Sequence, residues 1–227
     1  MNLIEIGKKY PSNKNISGFI QLYEKYFSSL KNSKINMLEI GVEGGDSLRI
    51  WREYFTNANI CGIDIDKKDF KIENTEILQG DQSDKNFLKT LIDKYKKFDI
   101  IIDDGSHQAK HIIASFKFLF PYLNNDGIYV IEDLQTSYFP RYGGSRINLN
   151  KKKSSMYFIK SLTDTINYEK NDRPYYKKSD FDGHIKSIYF HQNIAFINKG
   201  ESVNYFYNQD FKETFADKIK KLISNFF

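Results

Sequence analysis

The sequence predicts an α/β protein with a doubly wound, mainly parallel sheet that ends in an antiparallel hairpin. Two short apolar runs rich in β-branched residues, 98–102 and 127–131, enclose a segment of helical length, and this strand–helix–strand order predicts two parallel strands. Within 37–55 an apolar strand, a glycine-containing loop and a helix follow one another, as in the nucleotide-binding corner of such a sheet. Residues 184–200 contain two strand-like runs joined tightly in the middle, which predicts the hairpin.

Size and composition indicate one substantial globular domain. The chain has 227 residues, of which 40% are hydrophobic and 16% aromatic, so it can bury a sizeable core. We find no apolar run long enough to cross a membrane and no signal peptide. The single Cys61 excludes an internal disulfide framework, and its strand position predicts a packing role. We therefore expect a cytoplasmic protein.

The net charge of +5 would suit an anionic partner such as a nucleotide-linked substrate or a nucleic acid. However, the basic residues are mostly scattered lysines, and 151–153 is the one tight basic cluster. A solvated surface explains this pattern better than a nucleic-acid interface, because no face combines clustered basic and aromatic residues.

Residues 1–34 form a helical segment with a break near Pro11. After the break, apolar residues recur at helical spacing, which predicts an amphipathic helix over 17–30. The apolar stripe consists of Phe19, Leu22, Tyr23, Tyr26, Phe27 and Leu30. Because this segment precedes the first strand, it is a candidate lid over a bound cofactor.

The glycine loop after the first predicted strand has the spacing G-x-x-G-G. Gly41 opens this loop and lets the backbone approach a ligand closely. Asp46 or Ser47 is the predicted N-cap of the next helix. Glu39 and Glu43 lie in or beside the loop, and both would repel a phosphate. A cationic or uncharged part of a ligand therefore fits this loop better.

Polar residues at the next two strand ends are candidates for contacts to a nucleoside. Asp64 ends the second strand, where an acid can bind the two hydroxyls of a ribose, and the alternative is a turn-forming aspartate. Asp81 and Gln82 follow the third strand. They either reach an adenine edge or cap the helix predicted over 84–97, and the residues do not favour one interpretation.

Acids end both of the strands named first. Asp103 and Asp104 follow one strand, with His107 close behind, and Glu132 and Asp133 follow the other. The carboxyl ends of parallel strands share one edge of the sheet, where ligands of open α/β sheets bind. Carboxylates crowded there repel one another, and a divalent cation that prefers carboxylate oxygens relieves the repulsion. The alternative is that Asp104 merely caps the following helix.

Residues 135–183 contain no clear strand, and a helix is predicted over 152–168 within them. A long loop at the ligand edge of a sheet is usually functional, so its first part is a candidate site for a sugar and a phosphate. The residues that could make these contacts are Tyr138, Arg141, Tyr142 and Arg146. The alternative for each of them is a place in a mobile surface loop.

Residues 201–227 lie beyond the predicted domain and carry apolar residues at helical spacing. The stripe consists of Phe211, Phe215, Ile219, Leu222, Ile223 and Phe226. An apolar helix face must be buried against this domain, a second subunit or a further domain. We therefore predict a homo-oligomer or a truncated larger protein.

Five motifs in this order and spacing resemble the class I S-adenosylmethionine (SAM)-dependent methyltransferases. They are LEIGVEGGDSLRIW, GIDID, GDQSD, IIDDGSH and YVIEDL. The pair IDDGSH and VIED is more specific and resembles the metal-dependent sugar O-methyltransferases of macrolide antibiotic biosynthesis, of the mycinamicin and tylosin type, and their relatives acting on bacterial surface polysaccharides. The likeness covers roughly residues 1–200.

This resemblance implies a Rossmann-like, seven-stranded sheet, SAM as cofactor, and Mg²⁺ or another divalent cation such as Mn²⁺. It assigns Asp104, Glu132 and Asp133 to the metal and makes His107 the general base. The residues expected near SAM are Glu39, Gly41, Ser47, Asp64, Asp81, Gln82 and Asp103. The family's N-terminal Y-G-T-D-K-x-H-like segment corresponds to residues 10–14, which lack its aspartate and histidine.

We therefore predict three regions: an N-terminal helical segment (1–34), a methyltransferase domain (35–200) and a helical tail (201–227). The expected reaction is SAM- and Mg²⁺-dependent methylation of a sugar hydroxyl, in capsular or other surface polysaccharide or its nucleotide-activated precursor, for example a heptose. Three alternatives remain: a non-catalytic SAM-fold or glycan-binding protein, a nucleic-acid methyltransferase, or a small-molecule enzyme of the cephalosporin-hydroxylase-like group. A catechol-type enzyme would need Asp-Asn where Glu132-Asp133 stands.

Overall fold

The computed structural model describes residues 1–168 and 178–201, and its centre is one seven-stranded sheet. The strands are β1 (Asn36–Ile40), β2 (Asn59–Asp64), β3 (Thr75–Gln79), β4 (Phe98–Asp103), β5 (Leu123–Ile131), β6 (Ile185–His191) and β7 (Ile194–Lys199). Their order is β3-β2-β1-β4-β5-β7-β6; β1 to β5 are parallel, and β7 is antiparallel to β5 and β6. This confirms the predicted α/β class, with a mainly parallel sheet and a C-terminal hairpin.

Helices cover both faces of the sheet. They are α1 (Leu3–Gly7), α2 (Asn13–Ile16), α3 (Phe19–Phe27), α4 (Asp46–Tyr54), α5 (Lys85–Tyr95), α6 (Ala109–Leu119) and α7 (Ser155–Ile166). Buried residues of α1, α3 and α4, such as Tyr23 and Trp51, form one core with the sheet, and those of α5, α6 and α7, such as Phe116, form the other. Helices on both faces are what a doubly wound sheet requires, because both surfaces of its parallel strands are apolar.

Alternation along the strands assigns each side chain to one of the two faces. Ile101 of β4 and Tyr129 of β5 belong to the core beneath α6, whereas Ile102 and Val130 belong to the core beneath α3 and α4. The same alternation continues into the polar residues at the strand ends. This alternation therefore determines which acidic side chains at the strand ends lie on the same face of the sheet.

Helix boundaries differ from the prediction for local reasons. The helix expected over 17–30 is α3 followed by a 3-10 turn, and it begins after Gly18, whose φ of 71° is left-handed. The glycine before α4 also has a left-handed φ, of 78°, so Asp46 and Ser47 are the first helical residues and neither is the N-cap. The helix after β4 ends at Leu119 because Pro121 enters a 3-10 turn.

Cys61 lies fully buried in β2, which confirms its packing role. Burial raises the pKa of its thiol to about 12. Among the helices of the described residues, none is long and apolar enough to cross a membrane. The amphipathic helix predicted over 201–227 lies outside the described residues, apart from its first residue, so the oligomer expected from it stays a prediction.

Candidate metal and cofactor site

Three polar residues meet where β4 and β5 end. Asp104 and His107 follow β4, Asp133 follows β5, and one ligand atom from each lies within 4.8 Å of the others. His107 Nε2 is 3.5 Å from Asp133 Oδ2. All three side chains are partly accessible, so a ligand can reach them. The two carboxylates supply oxygen ligands of the kind that Mg²⁺ or Mn²⁺ prefers, and the imidazole lies beside them.

The backbone at this cluster is unusual. His107 has a φ of 57° and Asp133 a φ of 54°, both in the left-handed region that residues other than glycine rarely adopt. Such conformations cost of order 1–3 kcal/mol and persist where the surroundings fix them, most often at functional sites. The fold therefore holds both residues in place at the sheet edge.

The predicted metal ligand Glu132 lies beside this cluster and contacts the N-terminal helices. Its Oε1 accepts hydrogen bonds from Lys14 Nζ at 2.6 Å and from the Tyr23 hydroxyl at 2.5 Å. Lys14 Nζ also lies 2.7 Å from Asp104 Oδ2 and 3.5 Å from Glu39 Oε1. The geometry thus groups Asp104 and Asp133 with His107, and it groups Glu132 with Lys14.

Burial and charge act against each other in this buried group. Burial alone would lower the pKa of the Lys14 ammonium, but Glu132, Asp104 and Glu39 together raise it well above its usual value. Burial raises the pKa of Glu132 to about 8 despite the attraction of Lys14. Burial likewise raises the pKa of Glu39, against the opposing effect of Lys14. Lys14 is therefore a stable cation among these acids.

A cavity of about 780 Å³ adjoins the acids. Its volume suits a ligand the size of a nucleoside cofactor. The residues predicted for the site that line it are Gly41, Ser47, Asp64, Asp81, Gln82, Asp104, His107, Glu132 and Asp133. The N-terminal segment forms part of the wall through Pro11, Ser12, Asn13, Lys14 and Ser17. Five other residues predicted for the site do not line the cavity; they are Glu39, Asp103, Tyr138, Arg141 and Tyr142.

Asp64 faces the cavity and also fixes the glycine loop. Its Oδ2 accepts the backbone N–H groups of Val42 and Glu43 at 2.9 and 3.0 Å, and Lys68 Nζ lies 3.0 Å away. Burial disfavours the ionised carboxyl, but these hydrogen bonds, together with that from Asp66, lower its pKa overall. Asp64 is therefore an ionised acceptor at the end of β2.

Asp103 lies on the opposite face of the sheet from Asp104, as strand alternation requires. It is buried, and its carboxylate accepts hydrogen bonds from Ser115 Oγ at 2.8 Å and from Gln82 Nε2 at 3.0 Å. Gln82 Oε1 in turn accepts the backbone N–H of Ser106 at 2.8 Å. Asp103 therefore holds Gln82, which lines the cavity, and a place of Asp103 near SAM stays a prediction.

Glu39 and Asp81 also have protein partners. Glu39 is fully buried behind the cavity wall, where Ser47 Oγ donates a hydrogen bond of 2.9 Å to its Oε2, so the structure does not support direct cofactor contact by Glu39. Asp81 accepts hydrogen bonds from the backbone N–H and the hydroxyl of Ser83. The N-cap of α5 is Asp84, which leaves Asp81 on the cavity wall and does not support its capping role.

The candidate substrate residues lie at the outer rim. The ring of Tyr142 is 6.3 Å from that of His107, edge to face, and the guanidinium of Arg141 lies 4.7 Å from the Tyr142 ring centroid. Tyr138 is exposed, and Arg146 packs over the ring of Phe139. Tyr142 thus lies near His107, but none of these residues lines the cavity, so their contact with a substrate stays a prediction.

Sequence reasoning missed Lys14 and Tyr23 as site residues. Lys14 belongs to the segment 10–14 that matches the family motif, although that segment lacks the motif's aspartate and histidine. Tyr23 lies on the apolar stripe of α3, where a phenol is usually a packing group. The signal that could have found Lys14 is its place in that motif.

Comparison with known proteins places these features in a family. No protein-family model matches the chain. The 8-demethyl-8-(2-methoxy-alpha-L-rhamnosyl)-tetracenomycin-C 3'-O-methyltransferase of Streptomyces olivaceus is 37% identical over 193 residues, which cover 81% of this chain and 50% of the relative. Mycinamicin VI 2''-O-methyltransferase of Micromonospora griseorubida is 35% identical over 216 residues, which cover 88% of this chain and 53% of the relative. The chain thus spans about half the length of the curated relatives it matches.

A solved structure agrees with this relationship. The MycE methyltransferase from the mycinamycin biosynthetic pathway, in complex with Mg and SAH, superposes with a TM-score of 0.87 at 32% sequence identity. The match covers 98% of this chain and 60% of that one. Fold, motifs and relatives agree: the chain belongs to the class I SAM-dependent methyltransferases, and over the part that it spans it resembles these antibiotic-sugar O-methyltransferases.

Proposed function

We propose that the protein transfers a methyl group from SAM to a sugar hydroxyl with the help of a divalent cation, Mg²⁺ or Mn²⁺. The observation that carries the proposal is the Asp104, His107 and Asp133 cluster beside a cavity of about 780 Å³. The relatives support the reaction, because their names describe O-methylation at defined positions of rhamnosyl, olivosyl and mycinamicin sugars.

In this proposal Asp104, Asp133 and Glu132 hold the cation, and His107 accepts the proton of the hydroxyl. A bound cation would lower the pKa of a sugar hydroxyl and fix its direction, and SAM would supply the methyl group. His107 is suited to the role of base because its imidazole lies at the cavity wall, where it could accept a proton from a bound hydroxyl. Asp133 Oδ2 lies 3.5 Å from His107 Nε2, which supports a shared site for the two side chains.

The cavity residues have separate roles toward SAM. Asp64, ionised at the end of β2, is the proposed acceptor for the ribose hydroxyls. Asp81 and Gln82 lie where an adenine edge would sit. Gly41 and Ser47 border the remaining wall. The acidic side chains behind this part of the cavity wall attract a cation and repel an anion, so they suit the sulfonium of SAM better than a phosphate.

For the acceptor we propose a sugar of a surface glycan or its nucleotide-activated precursor, such as a heptose. The rim residues Tyr138, Arg141 and Tyr142 support this choice, because aromatic rings and a guanidinium suit a sugar and a phosphate. The relatives act on antibiotic sugars, so glycosylated antibiotics are the competing acceptor class. A nucleic-acid acceptor is not part of the proposal, and the cytoplasmic location stays a prediction.

The test is transfer of radiolabelled methyl from SAM to a panel of sugar nucleotides, free glycosides and glycosylated antibiotics. We expect incorporation into at least one sugar class, loss of incorporation with EDTA, and recovery when Mg²⁺ or Mn²⁺ is added in excess of the chelator. The protein heated beyond unfolding is the background control. Stoichiometric SAM binding without transfer to any acceptor would contradict the catalytic proposal and favour a binding protein.

A further inference from the structure

The N-terminal segment contains a short flap whose attachment differs from that of its neighbours. We call residues 8–18 the flap; it includes α2 and forms part of the cavity wall. The helices on either side are anchored by apolar residues, α1 through Leu3 and Ile6 and α3 through several aromatic residues. In α2 the one buried residue is Lys14, and the neighbouring Ile16 is 87% exposed.

Within itself the flap is well ordered by hydrogen bonds. Asn15 Nδ2 donates to the backbone oxygens of Gly7 and Tyr10 at 2.8 and 2.9 Å, and Ser12 Oγ accepts from the backbone N–H of Lys14 at 3.3 Å. These bonds fix the shape of the flap but do not join it to the sheet. Contacts to α4 are made by Lys9, which pairs with Glu53 at the surface, and by Tyr10, whose hydroxyl donates a hydrogen bond of 3.1 Å to Glu53 Oε2 and whose ring packs at the edge of the core. A peripheral pair of this kind contributes little.

The Lys14 side chain reaches from the flap to the edge of the sheet. Its ammonium meets acids from three neighbouring strand ends, Glu39 of β1, Asp104 after β4 and Glu132 after β5. Strand alternation puts all three acids on the same face, the one covered by α1, α3 and α4. Within residues 1–168 and 178–201, no other lysine or arginine pairs with these three carboxylates.

Lys14 contacts only one carboxylate oxygen in each of the two proposed metal ligands that it pairs with. It contacts Oδ2 of Asp104 and Oε1 of Glu132, and the second oxygen of each carboxylate accepts no hydrogen bond from the described residues. Removing one member of a buried ion pair leaves the remaining charges buried and uncompensated. Moving Lys14 away from its acids therefore costs free energy.

We propose that Lys14 is a positioning residue that closes the flap over the cofactor cavity by binding the acids of the metal site. Closure of the flap is thereby coupled to the arrangement of Asp104 and Glu132. This inference rests on the proposed function for the identity of the cofactor, but the attachment of the flap is independent of it. Release of SAM or its product from the closed state then requires Lys14 to separate from its acids.

The test compares the full chain with Lys14→Met, which keeps the length of the side chain and removes its charge. Lys9→Met is the matched control, because it breaks another lysine–glutamate pair of the same flap that does not face the cavity. The first readout is backbone hydrogen exchange of residues 8–18 without added ligand. We expect exchange to rise about tenfold or more in Lys14→Met, as when a buried ion pair loses one partner, and to stay near wild type in Lys9→Met.

The second readout is the rate constant of SAM dissociation, measured by dilution or displacement. We expect Lys14→Met to release SAM about tenfold faster or more, because flap opening precedes release. Lys14→Arg, which keeps the charge, should restore both properties at least in part. Far-UV circular dichroism of each variant verifies that the fold is retained.

Unchanged exchange in Lys14→Met, or an equal rise in Lys9→Met, would overturn the proposal. So would faster exchange combined with unchanged SAM release. If the wild-type protein binds no SAM, the proposed function fails, yet the exchange of residues 8–18 still decides whether Lys14 holds the flap. The two failures are therefore distinguishable.

Discussion

Replacing His107 with asparagine is expected to lower the rate constant of methyl transfer by about 10²–10⁴-fold while leaving SAM affinity near wild type. The expectation follows from the position of His107 beside Asp133 and at the wall of the cavity, where it can accept the proton of a bound hydroxyl. Asparagine tolerates the left-handed backbone at this position, with a φ of 57°, so the fold should survive. The measurement is single-turnover transfer at saturating SAM and Mg²⁺.

His184→Asn is the matched control, since His184 is exposed and lies apart from the cavity lining. It should leave the rate constant unchanged. If excess Mg²⁺ restored full activity to His107→Asn, this result would identify His107 as a metal ligand and contradict its assignment as the base.

Substituting Asp133 by asparagine is expected to lower activity at millimolar Mg²⁺ by about a hundredfold or more, because the site loses a charged oxygen ligand. The loss should be partly recovered at higher metal concentration, since Asp104 and Glu132 remain. Asp133 has a left-handed φ of 54°, which asparagine accommodates. The measurement is the initial rate of methyl transfer as a function of Mg²⁺ concentration at saturating SAM.

Asp126→Asn is a close control for this substitution. Asp126 is also a left-handed aspartate, with a φ of 62°, but it pairs with Lys186 far from the cavity lining. We expect its Mg²⁺ dependence to match the wild type. An Asp133→Asn protein with wild-type activity at all metal concentrations would remove Asp133 from the metal site.

The sheet and its order of elements were predictable because apolar periodicity marks each strand. The runs ending at Asp64 and Asp103 are strands whose apolar residues are buried on both faces, which gives near-continuous hydrophobic stretches. Helix boundaries were less predictable, because they depend on the φ angle of single residues, and tertiary contacts help to set that angle. Gly18 adopts a left-handed conformation, so α3 begins at Phe19 and not at residue 17 as predicted.

The meeting of Asp104, His107 and Asp133 was predictable from topology, since parallel strand ends share one edge. Alternation also separated Asp103 from Asp104, but local sequence patterns do not show that Gln82 donates a hydrogen bond to the carboxylate of Asp103. Periodicity and topology could not place Lys14, because its acids lie far along the chain and a lysine in a polar segment is usually solvated; only its match to the family motif pointed to it.

The most direct test of the central claim is calorimetric titration of SAM and then Mg²⁺ into protein freed of metal with EDTA and dialysed. The same titration is made with Asp104→Ala. We expect SAM to bind both proteins and Mg²⁺ to bind only the wild type, because Asp104 belongs to the acid cluster beside the cavity. SAM binding without any response to Mg²⁺ would contradict the metal mechanism, and absence of SAM binding would contradict the proposed function as a whole.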